Sequence, residues 1–309
     1  MKRIEKRNHL ARWRHVGLSL LFYSLTLAWP AVGRTATLYI GSVSDEPAAE
    51  IKKFIPLANY LTAELKPDGV EQVKTVVTKT ITEMAGLLKA GKADLYIDSP
   101  FPTIAASRVA GSRILLRRWK NGEADYYSVI FTRKDSDIAE LKNLVGKIVC
   151  FKEEDSSSGY FVPKILFAEK GLKLTYKSNL AEFVAPKEIG YVFSRDERNT
   201  VEWVLRGMVP AGAADYQRYL EEARDRVKDL KIVAQSFPVP RHLVSYRADL
   251  SPLLVARIKE ILLRMDQSAD GKKALVDFQK TSKFDEVPNE SLAPLMKHRG
   301  LIEAELGLK

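Results

Sequence analysis

"KEEDSSSGYFVPKILFAEKGL", residues 152–172, sets three consecutive serines and a glycine where a charged, irregular run gives way to apolar residues at helical spacing. A helix N-terminus exposes backbone N–H groups with no intrahelical partner, and the aligned peptide dipoles put partial positive charge there. Anions bind well at such ends. The hydroxyls of Ser156, Ser157 and Ser158 add donors without adding charge, and Gly159, lacking a Cβ, lets a ligand approach the backbone. Pro163 has no N–H to offer, so it fits only within a first turn, and the helix is expected to begin near residues 158–160. A plain N-cap needs only one serine, so the run by itself leaves an anion site and a simple cap both open. No Walker-type phosphate loop is present, and nucleoside triphosphate chemistry does not follow from this stretch.

Working outward, strand-like runs alternate with amphipathic helical runs along most of the chain, which argues for an α/β fold with largely parallel sheets. "TATLYIGSV" (35–43) reads as a first strand and "PAAEIKKFIPLANYLTAEL" (47–65) as a helix with Ile51, Phe54, Ile55, Ala58 and Leu61 on one face. A strand over "VEQVKTVVT", a helix ending near Gly91 and a strand over "ADLYID" (93–98) follow. A second such series starts near Asp135. Two long extended segments, 126–133 and 231–247, read as crossovers joining two lobes. The expected division is 37–133 plus 235–309 for the first lobe and 134–234 for the second.

The beginning of the chain reads as an export signal. Lys2, Arg3, Lys6, Arg7, Arg12 and Arg14 precede an apolar stretch from about Val16 to Ala31, broken by Pro30 and Gly33. The expectation is a signal peptide over 1–36, cleaved between about Ala31 and Ala36, and a protein released to the periplasm. The whole sequence carries a net charge of +10; setting aside the seven basic and one acidic residues of positions 1–36 leaves 42 basic and 38 acidic, a net +4. A mildly basic exported protein favours anionic ligands, but no basic run interleaved with aromatics supports nucleic-acid binding. The single cysteine, Cys150, lies in the strand-like "GKIVCF" and has no partner for an intramolecular disulfide.

"SSSGYFVPK" resembles the Ser/Thr-rich, Gly, aromatic, Val-Pro signature of the periplasmic substrate-binding proteins of phosphonate, phosphite and phosphate ABC transporters. The order of "YIGSVSDEP", "GKADLYIDSP", "YYSVIFTRKDS" and "GMVPAGAAD" agrees with that family over about residues 37–290. The resemblance implies a two-lobed type II periplasmic binding protein fold, with a ligand cleft between lobes joined by two crossover strands. It also implies that Ser156, Ser157, Ser158 and Gly159 grip a small oxyanion, that no cofactor is needed, and that the partner is an ABC permease in the inner membrane. The protein is then a monomeric carrier and not an enzyme. Departures from the family pattern are Asp98 and Ser99 after "ADLYI", Arg195 and Arg198 where a His is common, and Pro210 where an Asp is common, with Asp215 nearby.

Other candidates for the cleft come from position. Ser42 and Ser44 follow the first strand, at the carboxyl end where ligands of open α/β sheets bind. Of Tyr126 and Tyr127, alternation turns one to the cleft and the other to the core. Arg195 has the fork geometry to clamp a phosphonate or carboxylate. Metal and catalytic readings find little: His9 and His15 fall in the export segment, His242 and His298 have no ligand-spaced neighbour, and "SSSG" is not a nucleophile elbow. A sensory subunit for a receptor kinase, or a carrier for a sulfonate, carboxylate or other small solute, would use the same cleft.

Overall fold

The structure is a computed structural model that describes residues 36–307; the expected export segment lies outside the described residues. The chain first lays down β1 (Ala36–Val43), α1 (Pro47–Leu65), β2 (Val70–Thr78), α2 (Ile81–Lys89), β3 (Leu95–Asp98), α3 (Pro100–Ala110) and β4 (Arg113–Lys120). Local chemistry sets several of these boundaries. Pro47 and Pro100 open α1 and α3 where a missing N–H does no harm. Thr80 and Glu83 cap the start of α2 reciprocally, and Gly111, at φ 71°, closes α3 in the left-handed conformation.

After the short β5 (Asp125–Tyr126), the chain enters a second sheet with β6 (Ser128–Arg133) and β7 (Ile148–Phe151). The serine run follows, leading into α4 (Val162–Glu169), β8 (Leu174–Tyr176), β9 (Ile189–Phe193), α5 (Glu197–Leu205), β10 (Ala211–Asp215), α6 (Tyr216–Ala223) and β11 (Leu230–Gln235). The return passes through β12 (Val239–Pro240) to β13 (His242–Tyr246), α7 (Pro252–Arg264), α8 (Ala269–Asp277) and β14 (Thr281–Asp285). It ends in α9 (Ala293–Lys297) and α10 (Arg299–Glu305).

The first sheet has the order β14-β4-β13-β3-β1-β2 and the second β11-β6-β10-β7-β9-β8. In each, three or four parallel strands carry antiparallel strands at one side. Two extended stretches link the sheets, and they pair with each other through Val239↔Tyr126 and Pro240↔Asp125. A core of Leu38, Phe54, Leu57, Val244, Ile258 and Phe278 fills the first lobe. The second sheet is covered on both faces, by clusters around Phe151, Phe161 and Ile189 and around Phe131, Val201 and Tyr219. Cys150 is fully buried in the latter, where burial pushes its thiol up to about 12.

Two segments depart from the expected division. Residues 128–133, expected in the first lobe, hydrogen-bond into the second sheet between β10 and β11, because their partners Asp215 and Gln235 lie there. The tail departs as well: Leu295 and Ile302 are buried in the cluster around Phe161, not in the first-lobe core. Glu305 pairs with Lys164 and accepts from the Tyr160 hydroxyl at 2.8 Å, while Glu303 receives Arg108 of α3 at 2.6 Å. The last helix therefore touches both lobes.

Candidate functional site

The carboxyl ends of β1 and β3 face the carboxyl end of β7 across a cleft of about 950 Å³. Ligands of open α/β sheets bind at such strand ends. A second cavity, of about 640 Å³, is lined by no residue of the second sheet.

The serine run makes the second-lobe wall. Phe161 N–H donates to the Ser156 carbonyl at 3.0 Å and Val162 N–H to the Ser157 carbonyl, so the helix opens with one wide turn of i→i+5 bonding before α4. Such turns are uncommon and recur at functional sites. The three serines then divide the work. Ser156 Oγ accepts from Gly159 N–H at 3.0 Å and is the cap. Ser157 is buried; its hydroxyl donates to Ser99 Oγ at 2.9 Å and accepts from Phe101 N–H at 2.9 Å, tying the loop to the first lobe. The rings of Phe101 and Phe161 stack beside this link at 4.0 Å. Ser158 lines the cleft. Gly159 does not line it; a Cβ there would sit 2.5 Å from the Lys152 Cβ, so the glycine serves close packing of the loop on its own strand end.

On the first-lobe wall, Ser42, Ser44, Asp98 and Ser99 all line the cleft. Ser42 Oγ donates to Glu50 at 3.1 Å. Asp98 accepts from Ser99 N–H at 2.6 Å and from the Tyr96 hydroxyl at 3.0 Å. Burial pushes Asp98 up to about 6, against the pull of those two donors. Asp155, just before the serines, is pushed up to about 7 by burial and by the charges of Glu153 and Asp98. The start of α3 offers an anion few amides: Pro100 and Pro102 have none and that of Phe101 is taken by Ser157.

Of the remaining four candidates, Tyr126, Arg195 and Asp215 line the cleft and Tyr127 does not. Tyr126 is buried and lines the cleft, while Tyr127 points to the other face and stacks on Tyr216 at 4.9 Å; strand alternation separates the two, and Tyr127 is not a cleft residue. Arg195 stands at the cleft rim, exposed, bound to Glu154 at 2.8 Å. Asp215 is buried; one oxygen caps α6 through Gln217 and Arg218 and the other pairs with Arg241.

The cleft also holds cations that reading the sequence missed. Arg118 and Lys120 come from the end of β4, and Arg241, beside a neutral His242, from the return crossover. The Arg241 guanidinium lies 4.5 Å from the Tyr126 ring centre. Arg118 is 1% exposed, with Nε donating to Thr281 Oγ1 at 2.8 Å and Nη2 to the Phe278 carbonyl at 3.0 Å. Burial, then the charges of Arg118 and Arg241, pulls Lys120 down to about 7. Burial and the same cations keep His242 well below its ordinary range. The available signal was "RILLRRWK": a strand that carries two adjacent arginines between leucines and a tryptophan buries at least one of them.

The acids give a pH test. Asp98 binds its proton more tightly folded than unfolded, so the stability this proton confers is fully present below about pH 4 and is lost as pH rises through about 6. Asp98→Asn should flatten the fall in unfolding free energy over that window by about 2–3 kcal/mol. Urea unfolding at pH 4.5, 6 and 7.5 reads it; parallel curves for variant and parent would refute it.

A family model described as "ABC transporter, phosphonate, periplasmic substrate-binding protein" matches residues 40–292. Among solved structures, a Xanthomonas citri protein bound to chloride ion superposes with a TM-score of 0.82 at 22% identity, over 88% of this chain and 99% of that chain. PhnD1 from Prochlorococcus marinus, in complex with methylphosphonate, gives 0.64 at 18% identity, over 89% and 99%. A binding protein component of an ABC phosphonate transporter from Pseudomonas aeruginosa gives 0.62 at 19%, over 88% of each chain. At these identities the structural likeness speaks to the fold, the two-lobed type II architecture.

Proposed function

Because the chain belongs to the family of periplasmic substrate-binding proteins of phosphonate ABC transporters, a family of carriers and not of enzymes, we propose that its cleft captures a small phosphorus oxyanion. Phosphonate, phosphite and phosphate are the candidates, and the closed complex is handed to a permease in the inner membrane. The observation that carries this reading is the serine turn. Its first amides have no intrahelical partner, Ser158 faces the cleft beside them, and the helix dipole favours negative charge at that end. Tyr126 also lines the cleft, where burial pushes its phenol above the ordinary range.

Closing of the lobes about the paired crossover strands would enclose the anion and present the surface the permease reads. Residues 1–36 serve as the export signal in this reading, and the mature protein works as a monomer in the periplasm. Among the described residues no helix is long and apolar enough to cross a membrane.

Calorimetry with methylphosphonate, phosphite, phosphate and methanesulfonate tests the proposal. Ser158→Ala should weaken methylphosphonate binding roughly ten-fold, the cost of one lost donor to a charged group. Asp98 and Asp155, where ionised, can accept a hydrogen bond from a phosphorus oxyanion that still carries a proton, and repel a sulfonate, which has none. No binding of any phosphorus oxyanion, or equal affinity for methanesulfonate, would count against the reading.

A further inference from the structure

The serine turn accounts for one anionic group; the first-lobe wall holds positive charge that this group does not explain. Arg118 and Lys120 stand two residues apart on β4, so their side chains leave the strand on the same face, and both line the cleft. A cation drawn into a low-dielectric cleft normally has a carboxylate in contact, because leaving it unpaired there is costly. Among the described residues neither has one.

The acids around them are engaged elsewhere. Glu50 takes Lys53 at 2.7 Å and the Ser42 hydroxyl. Asp98 holds Tyr96 and Ser99, and Asp215 pairs with Arg241. Arg118 spends Nε and Nη2 on neutral oxygens and packs its guanidinium 3.8 Å from the Phe278 ring centre. Its Nη1 has only a 3.5 Å approach to His242 Nδ1, a poor hydrogen bond. The depressed pKa of Lys120 reports the same deficit of negative charge. The start of α3 cannot supply the first lobe's grip, since its only early amide is taken by Ser157.

We propose that Arg118 and Lys120 form a second anion subsite across the cleft from the serine turn, so that the ligand is a phosphorus oxyanion bearing a second negatively charged group, as in a phosphonocarboxylate. The inference rests on the oxyanion reading of the cleft and narrows its substrate class. The phosphoryl group takes the serine turn; the second anion accepts from the free edge of the Arg118 guanidinium and from Lys120 Nζ. A charge-assisted hydrogen bond is worth about twice a neutral one, so the second group should add at least ten-fold in affinity. A cationic substituent at the same place meets two like charges and should lose affinity.

Isothermal calorimetry on the purified protein compares methylphosphonate with phosphonoacetate, 3-phosphonopropionate and 2-aminoethylphosphonate. The better of the two phosphonocarboxylates should bind at least ten-fold tighter than methylphosphonate, and 2-aminoethylphosphonate more weakly. Lys120 is only partly buried, so Lys120→Gln should fold, as circular dichroism can verify, and it should cut the phosphonocarboxylate advantage about ten-fold. The ligand series on the parent protein stands as a test even if that variant fails to fold. Methylphosphonate binding with no gain from either carboxylate, an advantage that survives Lys120→Gln, or tighter binding of 2-aminoethylphosphonate would overturn the second subsite and leave the oxyanion reading standing. Failure of all four phosphonates to bind would remove both.

Discussion

Replacing Asp215 with alanine should lower the free energy of unfolding by about 3–5 kcal/mol, the usual cost of stranding a buried charge. Asp215 is 1% exposed and Arg241 7%. With the carboxylate gone, the nearest acid left to Arg241 is Glu123, whose oxygen lies 3.8 Å from Nε, and that nitrogen already lacks a hydrogen-bond partner. The change also removes the cap on α6, since Asp215 Oδ1 accepts from Gln217 N–H at 2.8 Å and Arg218 N–H at 3.1 Å; a lost cap adds about 1 kcal/mol. Asp215 ends a second-sheet strand and Arg241 sits in the crossover that returns to the first, so the pair fastens the hinge to one lobe. Two variants separate the effects. Asp215→Asn keeps a cap acceptor and loses the charge, and Asp215→Ala with Arg241→Met removes both charges and should recover part of the loss. Urea unfolding monitored by fluorescence reads all three, and a drop below about 1 kcal/mol for Asp215→Ala would show that the pair is solvated in practice.

Local chemistry made much of the fold legible. The switch from period-two to helical spacing marked β1, α1 and β2, and Thr80, Pro100 and Gly111 are boundary residues whose action depends only on their neighbours in the chain. Sheet membership is another matter. The apolar run at 128–133 is strand-like wherever it pairs, and its place in the second sheet is decided by Asp215 and Ala214, more than eighty residues away. The tail shows the same limit: spaced apolar residues such as Leu295 and Ile302 announce a buried face without naming the lobe that buries it.

The site divides along the same line. The serine run was visible because a helix start advertises itself in sequence. The separate tasks of Ser156, Ser157 and Ser158 were not, because they depend on Ser99 and Phe101 in the other lobe. Arg118 stayed hidden for a related reason. On a strand with one wet face an arginine reads as solvent-facing, but β4 is buried at four successive positions, 115 to 118, so both of its faces are covered. The candidate site was legible where it lay in one contiguous loop, and illegible where two sheet ends had to meet to make it.

That contiguous loop carries the second large effect: Gly159→Ala should cost about 1–3 kcal/mol of stability through overpacking and weaken methylphosphonate binding at least a hundred-fold. The added Cβ would lie 2.5 Å from the Lys152 Cβ and 2.8 Å from Ser156 Oγ. The Lys152 Cβ sits next to its own backbone and cannot swing aside as a side-chain tip can. Nor can the strand end retreat freely, because Lys152 N–H donates to the Gly159 carbonyl at 3.0 Å. Relief has to come from the turn, which breaks the Ser156 cap on Gly159 N–H and re-aims the amides and the Ser158 hydroxyl that would hold the oxyanion. Hydrogen bonds weaken steeply with misalignment, and losing two donors to a charged group at about 1.5–3 kcal/mol each gives a hundred-fold or more. Gly86→Ala is the matched control: it lies on the exposed face of α2 with nothing within 4 Å of the added methyl, and it should stabilise by about 0.4–1 kcal/mol. Denaturant unfolding and calorimetry on both variants decide the matter, and a Gly159→Ala protein that binds methylphosphonate within a few-fold of the parent would show that the turn does not hold the ligand.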